Sequence, residues 1–189
     1  MKITILATLV LALAASGAHA ESANPGSARG AQATTNDSSG GAAGDAVLTD
    51  QTFLKKAAAG GIAEVETAKI ALEKASDKEV KEFAQHMIND HSQNNKELEE
   101  VAKNMNETLP KDTDPKHKAM MDQLKAKSGA EFDRAYMQAQ VRDHQEMITL
   151  FKQQAESGKH PELKSYATKT LPALEKHLDH ARKVTDGGL

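Results

Sequence analysis

VKEFAQHMINDHSQNNKELEEVAKNM, residues 80–105, carries Val80, Ala84, Met87, His91, Asn94, Leu98, Val101 and Met105 at alternating spacings of four and three. That spacing keeps one stripe of a 3.6-residue helix facing a partner, so the stretch reads as an amphipathic helix made to pack against others. The pattern returns in Met137, Val141, His144, Ile148, Phe151 and Ala155, and again in Leu163, Ala167, Thr170, Leu174, His177, Ala181 and Val184. Each of the three seams holds one histidine where a leucine would ordinarily sit. Burying a polar ring without a partner costs roughly 1–3 kcal/mol, so His91, His144 and His177 require partners: each other, carboxylates, water or a metal ion.

Local punctuation divides the chain around these seams. Thr49 or Asp50 caps a first helix to about Ala75, and Ser76-Asp77-Lys78-Glu79 has the form of a capping box opening a second to about Asn106. Leu109-Pro110 breaks the chain. Thr113-Asp114-Pro115 supplies a cap and a first-turn proline for a short helix to about Lys127. Ser128-Gly129-Ala130-Glu131 reads as another capping box, opening a long helix to about Ser157, and a last helix runs from Pro161 to near Asp186. Alternating β-branched runs and hairpin turns are missing. The reading is all-α: an antiparallel four-helix bundle with one short connecting helix, its long helices each roughly 36–44 Å at 1.5 Å rise.

Lys2, an apolar run from Ile3 to Ala15 and small residues at Ala18 and Ala20 form a cleavable secretory signal over residues 1–20. Residues 21–48 are a Gly, Ser, Ala, Asn and Thr mixture with too little apolar surface to offset ordering entropy, a flexible leader. Residues 49–186 then form one helical domain, with a periplasmic or secreted address. No cysteine is present, so neither a disulfide framework nor a lipid-anchored N-terminus is available. A net charge of −3, 3% aromatic residues and no basic block argue against nucleic acid as a partner. Nothing after the signal approaches the length of a transmembrane segment.

Mid-helix residues of an antiparallel bundle share a depth. His91 and His144 lie at the middles of their helices and Glu64 near the middle of the first, while His177 sits about 7 Å past its midpoint. Four groups from four helices therefore converge in this reading. Imidazoles with one carboxylate suit zinc, iron, manganese or copper better than calcium or magnesium. Asp90 and Asp143 each precede a seam histidine and point about 100° away from it, so they are candidates to support histidines on adjacent helices. His86 and Asp90, four apart, can pair along one face. The other reading of the same residues is a structural network, with the histidines hydrogen-bonded to Asn94, Tyr136, Thr170 or each other. It would serve a non-catalytic scaffold for an envelope protein partner, and protonation of its histidines would loosen the core. His117, His160 and His180 are expected to be exposed.

Catalytic signatures are sparse. No glutamate stands three residues before any histidine of the mature chain, so the Glu-x-x-His pattern of di-iron bundles is missing. No Gly-x-Ser-x-Gly elbow or phosphate loop appears either, and no catalytic residue is assigned. Gly60-Gly61 inside the first helix costs about 1 kcal/mol per glycine relative to alanine, which close helix approach would offset. Pro172 frees the Thr168 carbonyl and is expected to kink the last helix near His177.

Phe53-Leu54, Gly60-Gly61, Ala63-Glu64, Phe83-Ala84, Met87, Asp90-His91, Ser128-Gly129, Phe132-Asp133, Tyr136, Asp143-His144, Leu171-Pro172, Leu174 and His177 form an ordered set. Over about Asp50 to Ala181 the chain resembles the exported bacterial family called domain of unknown function 4142. The resemblance implies a ferritin-like helical bundle in the outer membrane or periplasm, with a mid-bundle metal site as the fold's associated expectation. It implies no activity.

Overall fold

The computed structural model describes residues 48–189. The signal segment 1–20 and, apart from Leu48, the leader lie outside the described residues. Five helices follow in order: α1 (Asp50–Lys74), α2 (Lys78–Asn104), α3 (Pro115–Lys125), α4 (Gly129–Ser157) and α5 (Pro161–Asp186). No strand occurs among the described residues.

The caps explain most boundaries. Thr49 Oγ1 accepts from Thr52 N, and Asp114 accepts from His117 N with Pro115 at the first helical position. Asp77, not Ser76, caps α2, accepting from Glu79 N and Val80 N. Ser76 is drawn away by Asp133 of α4, whose carboxylate takes its N–H, its hydroxyl and the Asp77 N–H. The second expected capping box forms no side-chain cap bond, because Ser128 N-caps α4 without one. α2 ends where Asn106 turns left-handed at φ 56°, letting Glu107 N reach Ala102 O and Asn106 N reach Lys103 O.

Asp50 at the start of α1 accepts from Gln154, Lys159 and His160 at the end of α4, so these helices are antiparallel. Asn104 at the end of α2 meets Glu162 at the start of α5, which makes that pair antiparallel too. The three-residue links before α2 and α5 complete a square of antiparallel neighbours. α2 and α4 therefore run parallel across the diagonal, and the chain joins them with one long crossover that contains α3. That single crossover is the ferritin-like connection. The hydroxyl of Thr113, donated to Ala59 O, pins the crossover to α1, and α3 packs on α1 and α4.

Two apolar clusters fill the bundle. Phe53, Leu98, Phe151 and Tyr166 occupy one end, and Phe83, Met87, Phe132 and Tyr136 the other. The seam histidines lie between them. Gly60 and Gly61 admit neighbouring side chains: a Cβ on Gly60 would stand 3.1 Å from Met147 Sδ, and one on Gly61 only 2.0 Å from Asn95 Oδ1. Gly61→Ala gains about 1 kcal/mol of helix propensity and requires only the half-buried Asn95 amide to rotate away, so its net effect is expected to stay within about 1 kcal/mol of wild type. Urea denaturation of the variant checks this, and a loss of more than about 2 kcal/mol would show that Asn95 cannot move aside. α5 runs through Pro172, which faces solvent, and His177 beyond it stays buried.

Candidate metal centre

His91, His144 and His177 come from three helices whose 4-3 spacing turns them inward, and they are 2%, 1% and 7% exposed. Their ring centroids form a near-equilateral triangle: His91–His144 5.7 Å, His91–His177 5.3 Å and His144–His177 5.4 Å. One ring nitrogen from each lies within 4.8 Å of the others. The late register of His177 is therefore absorbed by the packing of α5 against α2.

Hydrogen bonds set the tautomers. His144 donates from Nδ1 to Gln140 O at 2.9 Å, which leaves Nε2 as a bare lone pair. His177 donates from Nε2 to Asp90 Oδ2 at 2.8 Å, leaving Nδ1 bare. His144 Nε2, His177 Nδ1 and His91 Nε2 are buried, and no protein group among the described residues partners them. The His91 and His144 rings are also held neutral. Burial, then His144 and His177, push His91 well below the ordinary histidine value. Burial, then His177, push His144 down to about 3, against the Gln140 carbonyl.

None of Asn94, Tyr136 and Thr170 hydrogen-bonds a histidine ring. Thr170 donates to Tyr166 O, Asn94 contributes its backbone carbonyl to Tyr166, and the Tyr136 hydroxyl is itself unpartnered. His144 Nε2 and His177 Nδ1 are unpartnered in the core, and His91, with no hydrogen bond on either ring nitrogen, is free to take the tautomer that adds a third lone pair, a donor set that a cation satisfies.

The remaining candidates divide. Asp90 supports His177 across the α2–α5 interface, and this contact replaces the expected pairing with His86. Glu64 is buried at mid-bundle but outside the cluster of converging ligand atoms. Its Oε2 accepts from Gln140 Nε2 at 2.7 Å, and its Oε1 lies 3.9 Å from His144 Nδ1, the nitrogen already committed to the Gln140 carbonyl. Burial, then Asp143, push the Glu64 carboxyl up to about 8, although the Gln140 bond opposes this. Asp143 forms no bond to the three histidines. It lines a cleft of about 260 Å³ with Asp114, Lys116 and His117, because one residue of rotation points it from α4 toward α3.

His117, His160 and His180 are half-buried rather than exposed. Asp114 holds the His117 ring at 2.8 Å, His160 packs at the end of α4, and His180 sits edge-on to Phe83. Sequence spacing did not expose the role of Gln140, whose carbonyl fixes the His144 tautomer and whose amide holds Glu64. Its position four residues before His144 was the available signal.

Comparison with solved structures finds the same bundle elsewhere. A DUF305 fragment from Deinococcus radiodurans is similar at TM-score 0.66 and 14% identity, covering 74% of this chain and 97% of that one. CopM in its Cu(II)-bound form is similar at TM-score 0.64 and 19% identity, covering 75% of this chain and 99% of that one. Its Cu(I)-bound form gives 0.62 and 17%, with 74% and 97% covered. At these identities the likeness is one of fold. No curated protein matches the sequence significantly. The profile of the domain of unknown function 4142 (DUF4142) matches residues 33–184, from ahead of α1 into the last turn of α5, and the chain belongs to that family.

Proposed function

We propose that this protein is an exported bundle that binds one transition-metal ion through His91, His144 and His177, with Asp90 orienting His177 and Gln140 orienting His144. The observation that carries the reading is the convergence of three buried histidines, each with an unpartnered ring nitrogen. For three atoms no more than 4.8 Å apart some point lies within about 2.8 Å of all of them, so a shift of at most about 0.7 Å per ring reaches the 2.0–2.1 Å metal–nitrogen distance. The hydrogen bonds behind His144 and His177 are the support that metal-ligating histidines ordinarily have.

Of zinc, iron, manganese and copper, an all-nitrogen set favours copper and zinc, since Glu64 stands outside the ligand cluster and supplies no carboxylate. Neutral ligands leave the whole ionic charge in a buried site, and the desolvation cost grows with the square of that charge. Monovalent copper therefore fits best. The copper-bound forms of CopM, a bundle of the same fold, support this choice. The signal segment supports a periplasmic or secreted setting, and no described helix is long and apolar enough to cross a membrane.

The test is anaerobic copper(I) titration against a chromophoric chelator, with elemental analysis of protein purified without a histidine tag. Wild type should take up one equivalent. His91→Leu/His144→Leu should bind at least about 100-fold more weakly, given that loss of outer-shell partners alone costs 10–100-fold. Leucine is the informative replacement: it suits the seam and removes unpartnered nitrogens, so the variant's stability should hold or rise by about 1–3 kcal/mol. Equal copper content in both proteins would refute the reading.

A further inference from the structure

Outside the buried triangle, a second histidine pair lies toward one end of the bundle. The ring centroids of His86 on α2 and His180 on α5 are 6.4 Å apart. His86 is exposed, and His180 is half-buried with its ring 5.2 Å from that of Phe83, which fixes its position at the α2–α5 seam. Because α2 and α5 are antiparallel, His86, five residues before His91, and His180, three after His177, are displaced toward the same end. The displacements are about 7.5 and 4.5 Å at helical rise. A metal–nitrogen bond of about 2.0 Å and a further ~1.2 Å from nitrogen to ring centre let one ion join imidazoles whose centroids are up to roughly 6.4 Å apart. The pair stands at that limit, so sharing an ion takes a side-chain rotation that aims one nitrogen of each ring at a common point, which exposed His86 is free to make.

Asp90 connects the pair to the triangle. It lies one turn after His86 on the same face of α2, and its carboxylate is half-exposed while it holds His177 Nε2 at 2.8 Å. His177 is in turn the most exposed of the three converging histidines. Glu79 adds negative charge near His180, against positive charge from Lys183. Metal-binding groups thus run from solvent inward: His86 and His180 about one turn toward the end of the bundle, then half-exposed Asp90 and its partner His177, then His91 and His144 at the same level as His177.

We propose that His86 and His180 form a solvent-facing metal-binding pair that loads the buried histidine triangle, with the ion passing Asp90 and His177. The inference rests on the metal-binding reading of the triangle. Two imidazoles hold an ion more weakly than three, so the pair acts on the rate of uptake while the triangle sets the final occupancy.

Stopped-flow transfer of copper(I) from a coloured chelator complex to the full chain, under anaerobic conditions, tests this through the decay of the complex's absorbance. His86→Ala/His180→Ala should slow transfer about tenfold and reach the wild-type end point. His86→Ala alone, at an exposed position where folding is not at issue, should also slow it. Unchanged rates in both variants would overturn the loading proposal and leave the triangle standing. A lower end point in the variants would overturn it as well, by making the pair part of the holding site. No transfer to wild type would overturn the triangle itself, and the loading proposal with it.

Discussion

The metal-free protein should be most stable near pH 6.5 and lose stability on both sides of that value. His91 and His144 are held below their ordinary value by burial and by neighbouring imidazoles, His144 to about 3. Above pH 6.5 neither the folded nor the unfolded chain protonates them. Below it the unfolded chain binds protons that the fold rejects, so each histidine removes about 1.4 kcal/mol per pH unit, down to its folded value. Glu64 runs the other way. Its folded carboxyl, raised to about 8, keeps a proton that the unfolded chain releases above its ordinary 4.5, so stability falls by about 1.4 kcal/mol per unit as pH rises from 4.5 to 8.

The two histidines outweigh Glu64 between pH 6.5 and 4.5, for a net loss of roughly 3 kcal/mol over that span; from 6.5 to 8 Glu64 acts alone and removes about 2 kcal/mol. Below pH 4.5 the slope doubles, because Glu64 no longer compensates. Urea denaturation of chelator-treated protein at pH 4.5, 6.5 and 8 measures the dome, and Glu64→Gln should flatten its alkaline side. Equal stability at pH 4.5 and 6.5 would show that the histidines are not held neutral by the fold.

Asp133→Ala should be the most destabilising single substitution outside the apolar core. The Asp133 side chain is buried at 1% exposure and accepts from Ser76 N at 3.0 and 3.2 Å, from Asp77 N at 3.0 Å and from the Ser76 hydroxyl. It ties the α1–α2 turn to the second turn of α4, between two hairpins whose chain connection is the long crossover. Alanine would remove the acceptor of two backbone N–H groups and a hydroxyl; Ser76 is exposed and Asp77 half-buried, so water takes over part of this role and each loss costs about 1–1.5 kcal/mol. A total of roughly 3–5 kcal/mol corresponds to a melting temperature lower by about 10–20 °C for a domain of this size. Asp133→Asn, which retains one accepting oxygen, should recover part of the loss. Thermal melts of the two variants decide it, and a fall of under about 3 °C for the alanine variant would show that the turn is held by other contacts.

The bundle was legible because its causes are local. The 4-3 spacing, Pro115 and Pro161 at first-turn positions and the Pro110 break depend on residues within a turn or two of one another, and they mark the helices of the final structure to within about two residues. The inward direction of His91, His144 and His177 follows from the same periodicity, since a seam residue on an amphipathic helix can face only the core. Membership of DUF4142 was legible for a similar reason, as an ordered set of residues along the chain.

Contacts between helices were not legible, because they depend on rotation and register. One residue of rotation turns Asp143 toward α3 and Asp90 toward α5, although both precede a seam histidine. Register places Asp133 opposite Ser76, which moves the cap of α2 from Ser76 to Asp77. It also sets Glu64 beside the committed nitrogen of His144 and brings His177 level with His91. Periodicity within each helix thus determined which side chains face inward. Only the packing of four helices at one depth decided which of them meet, because a distance between helices is a property of their relative rotation and shift, and neither is written in the spacing along any one of them.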